Sequence, residues 1–221
     1  MGLSLFLAGG GAPHEEAALW RELLAVPRRI VFWPFASERS QYAAAHRAVT
    51  AALTSLAPCE VVLWSDLGER TAEDLDRSDV VLVGGGNTYA LLDHVHRSGW
   101  LEPLRAHVLA GGVYAGDSAG AVLAGADIDI ARFADPNDVG LTDTAALDVL
   151  GGALVRPHYR PADLEEARSW AARTGRTVLG IPENAGLVVS DDVVRNVGPA
   201  TVEVVTATAS APLRPGATHP R

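Results

Sequence analysis

Residues 112–122 read GVYAGDSAGAV, a short apolar run that reaches a serine between glycines and then continues as small apolar residues. The run before Ser118 is typical of a buried strand, and the small residues after it are typical of a helix. A serine at such a junction can simply cap the helix through its hydroxyl group. It can also be a nucleophile at a sharp strand-to-helix turn, where Gly116 and Gly120 relieve the crowding around it. The context on both sides favours the nucleophile.

Strand-like and helical segments alternate outward from this turn. The predicted strands cover residues 3–8, 29–36, 59–64, 79–86 and 111–116, and helical patterns separate most of them. Strands separated by helices of this length predict βαβ crossovers, a parallel sheet and helices on both of its faces. The runs IVFW and VVLV are apolar without strict alternation, as expected for strands that are covered on both faces. This part of the chain therefore predicts an α/β fold.

The pattern changes after residue 126. Residues 127–148 carry many aspartates and turn signals, which predict a long excursion over the surface. A strand and a helix follow, and residues 177–207 then contain several short strands at hairpin spacing, which predicts an antiparallel extension. Residues 207–221 are rich in Pro, Ala and Thr, and this composition predicts a disordered tail. No repeat or linker divides the chain, so we expect one domain over residues 1–206.

The composition limits the classes of partner. The chain has 221 residues, a net charge of −9 and a single cysteine, Cys59. An acidic chain lacks the basic face that neutralises nucleic-acid phosphates, so we expect no nucleic-acid partner. One cysteine excludes an intrachain disulfide and a cysteine-based metal site. No window approaches the roughly 20 apolar residues of a membrane span, and the N-terminal run lacks the basic region of a signal peptide. We therefore expect a cytoplasmic protein without a membrane partner.

Two glycine-rich turns follow predicted strands. The first, GGG at residues 9–11, is typical of the first turn of many α/β folds and carries little functional information. The second, GGGNT at residues 84–88, lets the backbone approach a bound group and leaves N–H groups that point outward. Such a turn can hold a phosphate, a carboxylate or a developing oxyanion, and either Asn87 or Thr88 can cap the next helix. Since the P-loop lysine is missing, nucleotide binding is the weaker interpretation.

A nucleophilic serine at neutral pH needs a base, and the base needs a group that orients it. Of the seven histidines, His158 stands apart in RPHYRP, because the prolines on either side stiffen the loop around it. The leading carboxylates are Asp138, in DPNDVG, and Glu183, in IPENAG, with Asp135 as a third candidate. Their spacing does not separate them.

The linked series GGGNT, GDSAGA, NDVGLTD, PHY and GIPENAGLVV resembles the peptidase E family of aspartyl dipeptidases, over about residues 3–206. These are serine peptidases related to the cyanophycinases. The resemblance implies a class I glutamine-amidotransferase-like (flavodoxin-like) fold. In that fold the α/β chain forms a parallel-sheet αβα sandwich, here with a C-terminal antiparallel extension.

The resemblance also implies roles for single residues. Ser118 matches the nucleophile of the family and His158 its base. The acidic partner of the family lies in an Asn-Asp dipeptide that corresponds to Asn137 and Asp138, and Glu183 remains the alternative.

Two further positions complete this comparison with the family. Gly86 in the GGGNT turn and Ala119 after the nucleophile would supply the backbone N–H groups of the oxyanion hole. The sequence departs from the family at Asp117, where peptidase E tends to have an aromatic residue, and this departure bears on the substrate preference.

The implied reaction is acyl transfer through Ser118 without a metal or other cofactor, and the implied substrate is a dipeptide with an N-terminal aspartate. Such a substrate needs a cation near its side-chain carboxylate. Arg160 is the expected cation, and Arg156 is disfavoured because strand alternation would direct it elsewhere. Together with Gly86, Asn87 would line the substrate-binding turn. A small peptide is the expected partner, and the formation of a homodimer stays open.

Other functions share parts of these motifs. A cyanophycinase-like or isoaspartyl peptidase would use the same triad on a different acidic peptide. A ligand-binding module without hydrolysis would use GGGNT as an anion cradle and Ser118 as a helix cap. An α/β-hydrolase esterase shares the serine motif, but the early position of GGGNT fits that fold poorly. Glutamine amidotransfer is disfavoured, because that chemistry uses a cysteine where this chain has Ser118.

Overall fold

The computed structural model of the chain describes residues 2–26, 28–191 and 193–221. Within these ranges the chain forms twelve strands and seven α-helices. The strands are β1 Ser4–Ala8, β2 Arg28–Trp33, β3 Cys59–Leu63, β4 Val80–Val83, β5 Val113–Asp117, β6 Leu154–Pro157, β7 Val178–Ile181, β8 Gly186–Ser190, β9 Val193–Asn196, β10 Val202–Val205, β11 Ser210–Leu213 and β12 Thr218–Pro220. The helices are α1 Ala17–Leu23, α2 Tyr42–Thr54, α3 Ala72–Leu75, α4 Thr88–Arg97, α5 Leu101–Leu109, α6 Ala119–Leu123 and α7 Leu164–Thr174. Short 3₁₀ helices cover Arg39–Gln41, Asp129–Phe133 and Pro161–Asp163.

The larger sheet has eight strands in the order β12-β9-β8-β1-β5-β4-β2-β3. Strands β1 to β5 pair in parallel, while β8, β9 and β12 add to one edge in antiparallel pairs. The prediction of an α/β fold with a largely parallel sheet and an antiparallel extension is therefore confirmed.

Alternate residues of the central strands face two different helix layers. Phe6, Phe32 and Leu82 pack with α1 and α2 on one face, whereas Val31 and Val81 pack with α4 and α5 on the other. All four residues of β4 are buried. Burial on both faces explains why this strand is uniformly apolar instead of alternating.

A second sheet has four strands in the order β11-β10-β7-β6. Here the structure differs from the expectation of short hairpins alone, because β6 and β7 pair in parallel and α7 connects them as a βαβ crossover. The pairing places Pro157 beside Ile181. As a result, the segments that follow β6 and β7 leave the sheet at the same edge.

The tail also differs from its prediction. Residues 207–221, expected to be disordered, contribute β11 to the second sheet and β12 to the larger sheet. The side chain of Asn196, which is fully buried, donates a hydrogen bond to the carbonyl oxygen of Leu213, and Leu213 is itself buried. A Pro- and Thr-rich composition does not prevent strands when buried partners satisfy their backbone groups.

The acidic excursion forms little regular structure. Residues 127–148 contain the 3₁₀ helix Asp129–Phe133 and one isolated bridge between Asp127 and Ala145. Within the described part of the chain, no helix is both long and apolar enough to cross a membrane.

The carboxyl ends of β1, β5 and β4 are neighbours in the larger sheet, so the segments after them meet at one edge. These segments are the glycine turn at residues 9–11, the Ser118 turn and the glycine turn at residues 84–86. In parallel α/β sheets, ligand sites form at this edge. The candidate site lies here.

Candidate active site

Ser118 lies between the end of β5 and the start of α6, with a backbone φ of 48°. Positive φ is uncommon for a residue with a Cβ and is typical of the sharp turn that carries a nucleophile. Two glycines make the turn fit: a Cβ on Gly116 would lie 2.5 Å from the backbone of Gly120, and a Cβ on Gly120 would lie 2.2 Å from the oxygen of Val83. The Ser118 side chain makes no capping hydrogen bond to α6. This conformation therefore does not support the interpretation of Ser118 as a helix cap.

A chain of two hydrogen bonds runs from Ser118 through His158 to Glu183. Ser118 Oγ lies 2.9 Å from His158 Nε2, and His158 Nδ1 lies 2.9 Å from Glu183 Oε1. The backbone of His158 is fixed to the first glycine turn, because the N–H of His158 donates to the carbonyl oxygen of Gly9 at 2.8 Å. The His158 and Glu183 side chains are 41% and 59% exposed, so this pair stands at the surface of the site.

The two other candidate carboxylates lie elsewhere. Asp138 is exposed and forms no hydrogen bond or ion pair with any described residue. Asp135 accepts hydrogen bonds from the N–H of Thr88 at 2.8 Å and from its hydroxyl at 2.5 Å, at the N-terminus of α4. A carboxylate at this helix end is stabilised by the free N–H groups. Of the three candidates, the structure brings only Glu183 to His158.

The GGGNT turn lies beside the serine. Gly86 has a φ of 137°, and a Cβ there would lie 2.3 Å from the oxygen of Ala36, so only glycine fits. None of the hydrogen bonds among the described residues uses the N–H of Gly86 or of Ala119. Asn87 has a structural position: its Oδ1 accepts from Ala90 N, which caps α4, and its Nδ2 donates to the oxygen of Pro136.

A cavity of about 240 Å³ opens beside Ser118. Its wall includes Gly86, Asp135, Arg156 and His158. The Arg156 side chain is 11% exposed, and its Nε lies 3.5 Å from Glu166 Oε1 without forming a hydrogen bond. Arg156 and His158 both line this cavity, contrary to our expectation that strand alternation directs Arg156 elsewhere.

Arg160 lines a different space. A wider depression of about 730 Å³ adjoins the cavity and is lined by His158, Glu183, Arg160 and Phe133, among others. The Arg160 side chain is 77% exposed and lies 3.8 Å from Asp163. Arg156 lines both spaces, whereas Arg160 lines only the wider depression, so the less exposed arginine shares the cavity with the serine.

Two more carboxyl groups lie behind the site, and the sequence analysis gave only one of them a role. Glu16 is 4% exposed, and burial, followed by the charge of Asp117, raises its pKa from 4.5 to about 8. Burial also raises the pKa of Asp117 from 3.8 to about 6. Part of Asp117 reaches solvent, but its Oδ1 is enclosed and has no hydrogen-bond partner among the described residues.

A signal for Glu16 was present in the sequence. The residue stands directly before an apolar helix and a few positions after GGG, where free backbone N–H groups attract a carboxylate. In the part of the chain that the structure describes, no group of three His, Cys, Asp or Glu residues could hold a metal ion.

Comparisons with known proteins identify relatives of this chain. The model of peptidase family S51 matches residues 5–197. The chain is 34% identical over 193 residues to peptidase E of Citrobacter koseri, across 81% of each protein. It is 33% identical over 109 residues to an uncharacterized peptidase of Pasteurella multocida, so here the match spans about half of each protein, 48% of this chain and 52% of the relative.

A solved structure has the same fold. The crystal structure of a peptidase from an acI-B1 Actinobacterium matches with a TM-score of 0.77 at 18% identity, over 100% of this chain and 98% of the other.

Proposed function

The chain belongs to peptidase family S51, and from this premise we propose that it is a serine-type exopeptidase that hydrolyses dipeptides with an N-terminal aspartate. The observation that carries the proposal is the hydrogen-bonded series from Ser118 Oγ through His158 to Glu183, with 2.9 Å at both steps. Each neighbour supplies what the previous group lacks: the serine needs a base, and the base needs an orienting carboxylate. We also propose a cytoplasmic location, since the apolar run at residues 4–8 forms the mostly buried inner strand β1 and is thus part of the fold.

In the first step Ser118 Oγ attacks the carbonyl carbon of the scissile bond while His158 Nε2 takes its proton. Glu183 accepts a hydrogen bond from Nδ1–H, which fixes the tautomer with a free Nε2 and stabilises the imidazolium that forms. The attack moves negative charge onto the carbonyl oxygen. The N–H groups of Gly86 and Ala119, which donate to no described residue, would receive that charge.

In the second step the tetrahedral intermediate collapses. His158 gives its proton to the leaving amine, which departs as the second amino acid, and the aspartyl group stays on Ser118 as an ester. Water then attacks this ester with His158 again as the base, and the free aspartate leaves. The exposed side of the His158–Glu183 pair gives water its access.

The cavity beside Ser118 suits an N-terminal aspartate because its wall carries one cation and one anion, Arg156 and Asp135. The guanidinium would bind the side-chain carboxylate of the substrate, for which arginine is the best donor. The carboxylate of Asp135 would bind the free α-ammonium group. A substrate without a free N-terminus would lose the second of these contacts, which supports an exopeptidase.

Hydrolysis of a dipeptide panel tests the proposal. Asp-X, Glu-X, Asn-X, β-Asp-X and neutral dipeptides are incubated with wild type, Ser118→Ala, Arg156→Ala and, as the matched control, Arg160→Ala. We expect cleavage of Asp-X, a loss of at least about 10³-fold in Ser118→Ala, and a loss of roughly ten- to hundredfold in Arg156→Ala that is specific to acidic substrates. Arg160→Ala should stay within about threefold of wild type, because an exposed charge contributes little.

The other outcomes are informative. Cleavage of β-Asp-X in preference to Asp-X would replace this proposal with an isoaspartyl or cyanophycinase-like peptidase. An unchanged rate in Ser118→Ala would contradict the mechanism. If wild type cleaves no member of the panel, the dipeptide substrate is wrong.

A further inference from the structure

The glycine turn at residues 9–11 touches all three members of the proposed triad. The oxygen of Gly9 accepts from His158 N. A Cβ on Gly10 would lie 2.4 Å from His158 Cε1 and 2.9 Å from Ser118 Cβ. A Cβ on Gly11 would lie 2.2 Å from the backbone carbonyl oxygen of Glu183. The backbone of this turn is therefore the surface against which the serine, the histidine and the glutamate are packed.

One side chain holds this turn from the interior. Glu16 Oε1 accepts hydrogen bonds from both Gly10 N and Gly11 N, each at 2.8 Å. Glu16 Oε2 accepts a third bond from the indole N–H of Trp20 at 3.1 Å. With 4% exposure the group is closed off from solvent, so water does not compete for these donors.

Glu16 does not cap the helix that it precedes. It occupies the N-cap position of α1, yet its side chain makes no capping hydrogen bond to that helix. Instead the carboxyl group reaches back toward the N-terminus and binds the glycine turn. An N-cap glutamate with a purely local role would bind the first free N–H groups of its own helix.

We propose that Glu16 is a positioning residue for the triad: its carboxyl group fixes the turn at residues 9–11 and, through that turn, the distance from His158 to Ser118 and to Glu183. The inference rests on the proposed function, because only there do these distances matter for a reaction. Glycine is flexible, and three successive glycines would sample many conformations without an anchor. Small displacements of catalytic groups lower the reaction rate strongly.

Three variants test this role. Glu16→Ala removes the anchor, Glu16→Gln keeps an oxygen that can accept from Gly10 and Gly11, and Glu22→Gln is the matched control on the same helix. Glu22 pairs with Arg195 and lies away from the glycine turn. Substrate turnover is measured together with the rate at which a fluorophosphonate modifies Ser118, a reaction that displaces fluoride and needs no recognition of a dipeptide.

We expect Glu16→Ala to lower both kcat and the labelling rate by roughly ten- to hundredfold, with KM within about twofold of wild type. Glu16→Gln should recover most of the loss, and Glu22→Gln should match wild type. A folded Glu16→Ala protein with wild-type kcat and labelling rate would overturn the inference, as would an equal loss in Glu22→Gln.

A spectroscopic measurement separates this inference from the proposed function. The proton that His158 Nδ1 donates to Glu183 should give a downfield resonance in wild type at low temperature, because the 2.9 Å hydrogen bond to the carboxylate deshields it. We expect this resonance to be lost in Glu16→Ala and kept in Glu16→Gln and Glu22→Gln, whether or not any dipeptide is cleaved. An unchanged resonance in Glu16→Ala would overturn the positioning role, whereas a substrate panel without turnover would overturn only the proposed function.

Discussion

Two glutamates lie near the Ser118–His158 pair, the solvent-exposed Glu183 and the buried Glu16. The Glu183 side chain is 59% exposed and binds the imidazole itself. Glu16 is 4% exposed and binds only backbone and indole N–H groups. Water can solvate the Glu183 carboxylate while this group interacts with the imidazole. The buried carboxyl group of Glu16 depends instead on N–H donors of the protein. On this proposal the exposed Glu183 stabilises charge on the imidazole, whereas the buried Glu16 holds the backbone in position. The two residues are of the same type, and the difference in burial separates their roles.

The largest effect should come from the outer glutamate. Glu183→Gln replaces the acceptor for Nδ1–H with a group that can also donate, so the imidazole loses both its orientation and its charge partner. We expect kcat on Asp-X to fall by about 10³-fold. Asp138→Asn is the control, and because Asp138 is exposed and forms no hydrogen bond or ion pair with a described residue, the kcat of this variant should stay within about twofold of wild type. A large loss in Asp138→Asn and none in Glu183→Gln would reverse the assignment.

The inner glutamate should give the protein a pH-dependent stability. Burial raises the pKa of Glu16 from 4.5 to about 8. Between these values the folded protein keeps a proton that the unfolded chain releases, so the free energy of unfolding falls as the pH rises. Urea unfolding of wild type between about pH 5 and about pH 8.5 should show this decline, and Glu16→Gln should show less of it. Equal pH profiles for the two proteins would contradict the role of this group.

The smallest effect should come from Asp117. Its pKa is raised from 3.8 to about 6 by burial, and no donor in the described part of the chain forms a hydrogen bond to its Oδ1. Asp117→Asn removes a charge that the interior does not stabilise and that also raises the pKa of Glu16. We expect the free energy of unfolding at about pH 7 to rise by about 1 kcal/mol, with a smaller gain at about pH 4. A loss of stability at neutral pH would mean that the carboxylate has a stabilising partner.

The sequence predicted the sheet and the sharp turn at Ser118 well because both depend on local patterns. Uniformly apolar strands between helices predict a covered parallel sheet, and the glycines around Ser118 predict a tight turn. Both signals lie within a few residues of the features that they predict.

The acidic partner of His158 could not be separated from sequence because it depends on strand pairing. Pro157 in β6 and Ile181 in β7 are partners in a parallel pair, so His158 and Glu183 follow at the same edge of the second sheet. The short strands in this region predict an antiparallel extension, and an antiparallel pair would not bring these two segments to one edge.

The role of Glu16 was missed for a related reason. The turn at residues 9–11 is common in α/β folds, and only the structure brings its glycines against the side chains of Ser118 and His158. The role of the Glu16 carboxyl group can be inferred only when it is known that this group binds the turn and that the turn lies against Ser118 and His158.

The most direct test of the central claim is the site at which a fluorophosphonate reacts, located by mass spectrometry of digested protein. The account predicts one adduct per chain on the peptide that contains Ser118 in wild type, and none in His158→Ala under the same conditions. An adduct on another serine, or equal labelling of wild type and His158→Ala, would contradict the claim that His158 activates Ser118.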